Sequence, residues 1–273
     1  MVARSSVRGP LAATAAFLVS VVALAQPPTK PSPGKPKAST PSRYAGYIRA
    51  WHAADESPPS VDDAGRPLLA LRALNTGDRI EVRAASDRGG FAASDLDRAA
   101  VTLGDPQTGN THPIDPRLVD LVYQLQRHFD AREIRVVSGY RTPRGRSESN
   151  HGKGRAIDFV VPGASDAEVA KYARTLGFVG VGIYPVSGFI HLDLRDRSYF
   201  WSDGSAPGRR NRERGILGDL ATASDRDALS RGEKAPLSFV IGFDVDAVLQ
   251  TRVPQGTPSA EIEDEDLDGQ SAN

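Results

Sequence analysis

The chain has 273 residues, and its 34 Lys and Arg balance 34 Asp and Glu, so no net charge draws it to nucleic acid. It contains no cysteine, which excludes disulfides and thiolate chemistry; any metal site must be built from His, Asp and Glu. The length suits one folded domain with appendages.

The first residues, MVARSSVRGP, carry Arg4 and Arg8 ahead of the apolar run LAATAAFLVSVVALA, which ends in the A-x-A pattern Ala23-Leu24-Ala25. Residues 1–25 therefore read as a signal peptide. The run is shorter than the roughly twenty apolar residues a membrane span needs. The mature chain is expected in the periplasm or cell envelope, without stable membrane insertion. Residues 26–60 open with QPPTKPSPGKPKASTPS and read as an extended Pro-rich linker. Residues 61–201 carry the folded pattern. Residues 202–273 form an extension: SDGSAPGRRNRERG is loop-like, PLSFVIGFDVDAVLQ is apolar enough to pack, and EIEDEDLDGQSAN reads as a solvated, disordered acidic tail.

Within the folded part, LLALRALNTGDRIEVRA gives two strand-like runs around Asn75-Thr76-Gly77-Asp78, a hairpin signal. In DPRLVDLVYQLQRHF, Leu118, Leu121, Val122, Leu125 and Phe129 make a helical stripe, with Asp115 as N-cap and Pro116 at the first position. EIRVVSGY and AIDFVV are strands. SDAEVAKYARTLG is a helix with Ser165 and Glu168 in capping-box spacing and Gly177 as its stop. GVGIY and GFIHLDL are two further strands around a Pro-Val-Ser-Gly turn. Strands and helices interleave irregularly with short links, so the fold class is α+β, a mainly antiparallel sheet flanked by helices.

The chemistry sits in SNHGKGRAIDF, residues 149–159. His151 lies in a glycine-rich loop. Alternation along the following strand puts Ala156, Asp158 and Val160 on one face, and an ionised carboxylate there needs a cation or strong donors. In FIHLDL, His191 and Asp193 share one strand face while Ile190, Leu192 and Leu194 take the other. Two histidines and a carboxylate, with room for water, make an open catalytic zinc set. The other histidines point elsewhere. His52 and His112 sit in loop-like sequence and read as structural, and His128 lies on the polar side of its helix. Ser149 makes a poor serine nucleophile, because the adjacent histidine is committed to metal.

The motif H-x-x-G-x-A-x-D with its preceding serine, together with SGYRTP and GVGIYPVSGFIHLD, resembles the zinc D-Ala-D-Ala carboxypeptidase and murein endopeptidase superfamily, which includes the hedgehog fold. Within it the likeness is to the murein endopeptidase K branch. It also takes in LNTGDRIEV and THPIDPRLVDLVYQLQ, and runs from about Leu68 to Trp201. The resemblance implies a hedgehog-type fold and one Zn²⁺ per chain held by His151, Asp158 and His191. It implies substrate contacts by Ser149 and Tyr184, and Arg141 near the substrate carbonyl or carboxylate. It implies an exported, monomeric zinc metallopeptidase that cuts peptide cross-links of peptidoglycan; the alternatives are a D-Ala-D-Ala type carboxypeptidase and a non-catalytic zinc-stabilised peptidoglycan-binding module. One position departs: where carboxypeptidases place a catalytic Glu, three residues before the last zinc histidine, this chain has Gly188. Asp193 is then either the general base or an orienter of His191.

Overall fold

The computed structural model describes residues 40–145, 149–206, 212–213 and 217–236. The expected signal peptide, most of the Pro-rich stretch, the apolar segment after residue 236 and the acidic tail lie outside these residues.

Among the described residues, five helices, α1 (Ser42–His52), α2 (Ala93–Thr102), α3 (Pro116–His128), α4 (Asp166–Ala173) and α5 (Gly218–Ser230), accompany eight strands. These are β1 (Leu69–Ala73), β2 (Arg79–Val82), β3 (Ile134–Ser138), β4 (Ala156–Val160), β5 (Val179–Tyr184), β6 (Phe189–Leu194), β7 (Tyr199–Asp203) and β8 (Arg212–Glu213). They form one sheet in the order β2-β1-β3-β4-β6-β5-β7-β8. Only β1 with β3 and β5 with β7 run parallel; every other junction is antiparallel, in accord with the expected α+β class.

Local signals explain the central elements. Gly77 takes the left-handed conformation in the β1–β2 turn. Asp115 accepts the Arg117 backbone N–H at 3.0 Å and opens α3. Ser165 and Glu168 close a reciprocal capping box on α4. That helix ends at Ala173 rather than running to Gly177, which instead supplies a left-handed turn against Ala228 of α5.

The sheet's two faces differ. Leu71, Ile134, Ile157, Phe159, Ile190, Leu192 and Val181 pack with Leu118, Val122, Leu125 of α3 and Val169, Ala170 of α4 into one apolar core. The other face carries Arg135, Asp158, His191, Asp193 and Trp201, all buried.

Helix α1 corrects the linker expectation for residues 42–52. It lies in sequence that reads as extended, and tertiary contacts hold it. Arg135 Nη1 donates to the carbonyls of Ala50, Trp51 and Ala53 at 3.0, 2.9 and 2.8 Å, capping the helix's C-terminal end, while Nη2 pairs with Asp55 at 2.7 Å. His52 meets the Gly188 carbonyl through Nε2 at 3.2 Å, a structural role as expected. Helix α5 and β7 are likewise ordered parts of the segment around and beyond residue 202. Asp225 of α5 accepts the backbone N–H groups of Phe178 and Ser198 and the Ser198 hydroxyl, at 2.7, 2.8 and 2.6 Å.

Candidate metal centre

Strand register builds the centre. Across β4 and β6, Asp158 stands directly opposite His191 and Ala156 opposite Asp193. On the far side of β6, Gly182 faces His191 and Gly180 faces Asp193. His151 arrives from the loop before β4. The Ser149 hydroxyl accepts its backbone N–H at 3.2 Å, and Gly154, left-handed and pressed against the Pro113 carbonyl, turns the loop back.

Each ring has one nitrogen committed. A carbonyl only accepts, so the 2.6 Å contact of His151 Nδ1 with Gly139 O places the proton on Nδ1 and turns the Nε2 lone pair inward. His191 points Nε2 at the Asp193 carboxylate, 2.9 Å away, and Nδ1 inward. The inward atoms lie close: His151 Nε2 to His191 Nδ1 is 3.3 Å, His151 Nε2 to Asp158 Oδ1 is 3.5 Å, and His191 Nδ1 to Asp158 Oδ1 is 2.8 Å. Tetrahedral zinc with bonds of about 2.0–2.1 Å needs donor atoms about 3.3 Å apart. The buried group of His151, Asp158 and His191 fits a metal ion of that kind by donor type and by spacing.

Electrostatics agree. Burial opposes charge on the His191 ring, yet its hydrogen bonds to the Asp158 and Asp193 carboxylates, and their charges, lift its pKa to about 10. Burial would raise the Asp158 carboxyl, but its contacts with His151, Arg141 and His191 hold it well below the usual carboxylate range. Asp193 is lowered too, with Arg195 and His191 outweighing burial.

Comparison with known proteins supplies the family. A family profile described as "Peptidoglycan L,D-endopeptidase MepK" matches residues 63–198. Over 139 residues the chain is 34% identical to the "Probable peptidoglycan L,D-endopeptidase MepK" of Haemophilus influenzae, covering 46% of this chain and 74% of that one. Over 138 residues it is 33% identical to the "Peptidoglycan L,D-endopeptidase MepK" of Escherichia coli K12, covering 46% and 75%. This chain belongs to the MepK family. It is a peptidase of a metallopeptidase family, as the motifs predicted. No match to a solved structure was found. The MepK match begins after α1 and ends just before β7, so that β7, β8 and α5 all lie beyond it.

The remaining predicted site residues divide. Arg141 reaches the centre: Nε donates to the Ser138 hydroxyl at 2.9 Å and Nη2 pairs with Asp158 Oδ2. Ser149 shapes the loop that carries His151. Tyr184 stacks on Phe189 with ring centres 4.6 Å apart, and its hydroxyl accepts the Trp201 indole N–H at 3.2 Å. Asp193 lies behind His191, fully buried and gripped by Arg195, on the ring edge opposite the inward Nδ1. Gly188 is a left-handed turn residue pressed against Ile48 of α1, so a catalytic Glu has no place there.

Sequence reasoning did not single out Arg195, Trp201, Gly180 or Gly182. A signal existed for three of them. Arg195 continues the i, i+2 face of His191 and Asp193, and two glycines alternating inside the strand VGVGIY mark a close approach from the neighbouring strands.

Proposed function

We propose that this chain is a zinc-dependent murein endopeptidase that hydrolyses peptide cross-links of peptidoglycan. The observation that carries the reading is the inward set of His151 Nε2, His191 Nδ1 and Asp158 Oδ1, at separations that suit tetrahedral zinc. Its relatives are named L,D-endopeptidases, which favours a bond joining an L centre to a D centre.

Zinc bound by three protein ligands supplies a Lewis acid and a water acidic enough to ionise near neutral pH. The chain's own residues do the rest. Gly139 O keeps the His151 proton on Nδ1, and Asp193 keeps the His191 proton on Nε2, so both lone pairs face the centre. Asp193 is a positioning residue in this reading, because its carboxylate addresses the ring edge turned away from the inward donors. Arg141 holds Asp158 through Oδ2 and leaves Oδ1 for the metal; its guanidinium also brings positive charge to the place where a scissile carbonyl oxygen becomes anionic. Tyr184 and Phe189 offer a stacked aromatic wall to a stem peptide.

The carboxypeptidase alternative loses ground with Gly188, where Ile48 fills the space a glutamate needs. The enzyme works as an exported monomer in the cell envelope, with residues 1–25 removed. Purified sacculi test the proposal: release of cross-linked fragments as uncross-linked muropeptides, abolished by a chelator and restored by zinc, is expected. Intact cross-links after digestion with the zinc-loaded protein would sink it.

A further inference from the structure

We propose that Arg195 is a positioning residue for the metal ligand His191, acting through Asp193, and that Gly180 exists to make room for it. The inference rests on the metal-centre reading above and goes one shell beyond it.

Arg195 grips the Asp193 carboxylate at two points. Nε donates to Oδ1 at 2.7 Å and Nη2 donates to Oδ2 at 2.8 Å. The same Oδ2 accepts the His191 Nε2–H at 2.9 Å. One hydrogen bond from an imidazole leaves a carboxylate free to turn about its last torsion. A second, two-pronged contact from a planar guanidinium fixes both its plane and its distance. The carboxylate is fully buried, so Arg195 also compensates a charge that water cannot reach.

Arg195 is itself held in place. Its backbone N–H donates to the Phe178 carbonyl at 2.9 Å. Its guanidinium lies over the rings of Tyr199 and Trp201, at 5.4 and 5.5 Å from their centres. Gly180 completes the arrangement from β5. It faces Asp193 in the strand register, and a Cβ there would overlap Asp193 Oδ1 and Arg195 Nε. Gly180 does not adopt the left-handed conformation, so the backbone alone does not demand glycine; the space does. Gly180 on β5, Asp193 and His191 on β6 and Arg195 just after it thus form one line from β5 to the inward nitrogen of His191.

The test measures zinc dissociation constants by chelator competition, on the full mature chain, for wild type, Arg195→Lys and Gly180→Ala, together with the melting temperature of each metal-free protein. Lysine keeps the charge and loses the two-point grip. Arg195→Lys is expected to bind zinc roughly 10–100-fold more weakly, the usual effect of losing a ligand's outer partner, with a metal-free melting temperature close to wild type. Gly180→Ala is expected to weaken zinc in the same direction although no ligand is touched; should it fail to fold, Arg195→Lys decides. A purely structural role would lower the metal-free melting temperature and leave zinc affinity alone. Wild-type affinity in Arg195→Lys overturns the inference while the metal reading stands. A wild type that takes up no zinc overturns the metal reading and this inference with it.

Discussion

The indole of Trp201 lies against the imidazole of His191, ring centres 5.2 Å apart, and it lies there because residue 182 has no side chain. Gly182 faces His191 on one side and Trp201 on the other, and a Cβ would press into the indole ring. The alternating glycines of β5 thus open two adjacent spaces, one for the Asp193–Arg195 pair and one for a tryptophan that walls off His191.

Gly182→Ala is therefore expected to overpack a fully buried site and to destabilise the fold by about 1–3 kcal/mol. Urea denaturation checks the stability. A red shift in the Trp201 emission, read in a Trp51→Phe background, checks that the indole has moved. Wild-type stability with an unshifted spectrum would mean that the strand yields without cost and the tryptophan needs no such space.

Asp158 is the only anion among the three inward groups, and it stands opposite His191 in the register. Asp158→Ala is expected to abolish stoichiometric zinc, checked by elemental analysis of the dialysed protein. Its loss also strips Arg141 of a partner. Zinc retained at one per chain would remove Asp158 from the ligand set.

Arg135 concentrates the attachment of α1 on one side chain. It is 7% exposed and donates to three carbonyls at the helix's end, besides pairing with Asp55 and Glu133. Arg135→Ala should cost about 3 kcal/mol, since Glu133 and the carbonyls lose a charged donor in a buried place. Limited proteolysis should then cut between α1 and β1 faster than in the wild type. Unchanged cleavage would show that the helix is held chiefly by its apolar contacts.

Asp105 gives a pH signature away from the metal centre. Burial alone would raise its carboxyl, but the backbone N–H groups of Thr142 and Gln107 and the hydroxyls of Thr142 and Thr108 outweigh it and hold the pKa below the ordinary carboxylate value. A depressed folded-state value stabilises the fold above the unfolded pKa, near 4, and this contribution is lost as pH falls through the folded value. The wild type should exceed Asp105→Asn in urea midpoint at pH 7, and the gap should shrink towards pH 3. A gap independent of pH would show that ionisation of Asp105 is irrelevant.

The buried group of His151, Asp158 and His191 was legible because polar residues on strand faces stand out. Asp158 and His191 interrupt apolar runs whose alternation fixes their direction. Helices α3 and α4 were legible through their caps. Helix α1 was not, since it lacks an N-capping side chain and is held by Arg135, far along the chain. Helix α5 hides for the same reason: its anchor, Asp225, bonds to Phe178 and Ser198, and nothing in its own sequence announces the docking. What sequence reasoning left open at Asp193 depended on which edge of the His191 ring it meets, a matter of one rotamer that no spacing rule contains.

Asp193→Asn separates the two roles in one variant measured two ways. A general base lost from an intact ligand set would keep wild-type zinc affinity and lower turnover on cross-linked muropeptides by roughly two to four orders of magnitude. An orienting partner lost from a ligand would weaken zinc itself, by roughly 10–100-fold. The second outcome is expected. The carboxylate meets Nε2, the nitrogen facing away from the centre, and its other contacts are the two prongs of Arg195. Asparagine with its carbonyl oxygen in the Oδ2 position keeps two of these bonds but turns its amide donor on Arg195 Nε; reversed, it turns that donor on the imidazole N–H and Nη2, so at least one contact is lost in either orientation. Chelator competition reads the affinity, and turnover at saturating zinc reads what chemistry remains once the metal is restored. Turnover that recovers with added zinc supports the orienting role. Turnover that stays low at full occupancy, with wild-type affinity, returns Asp193 to the role of base.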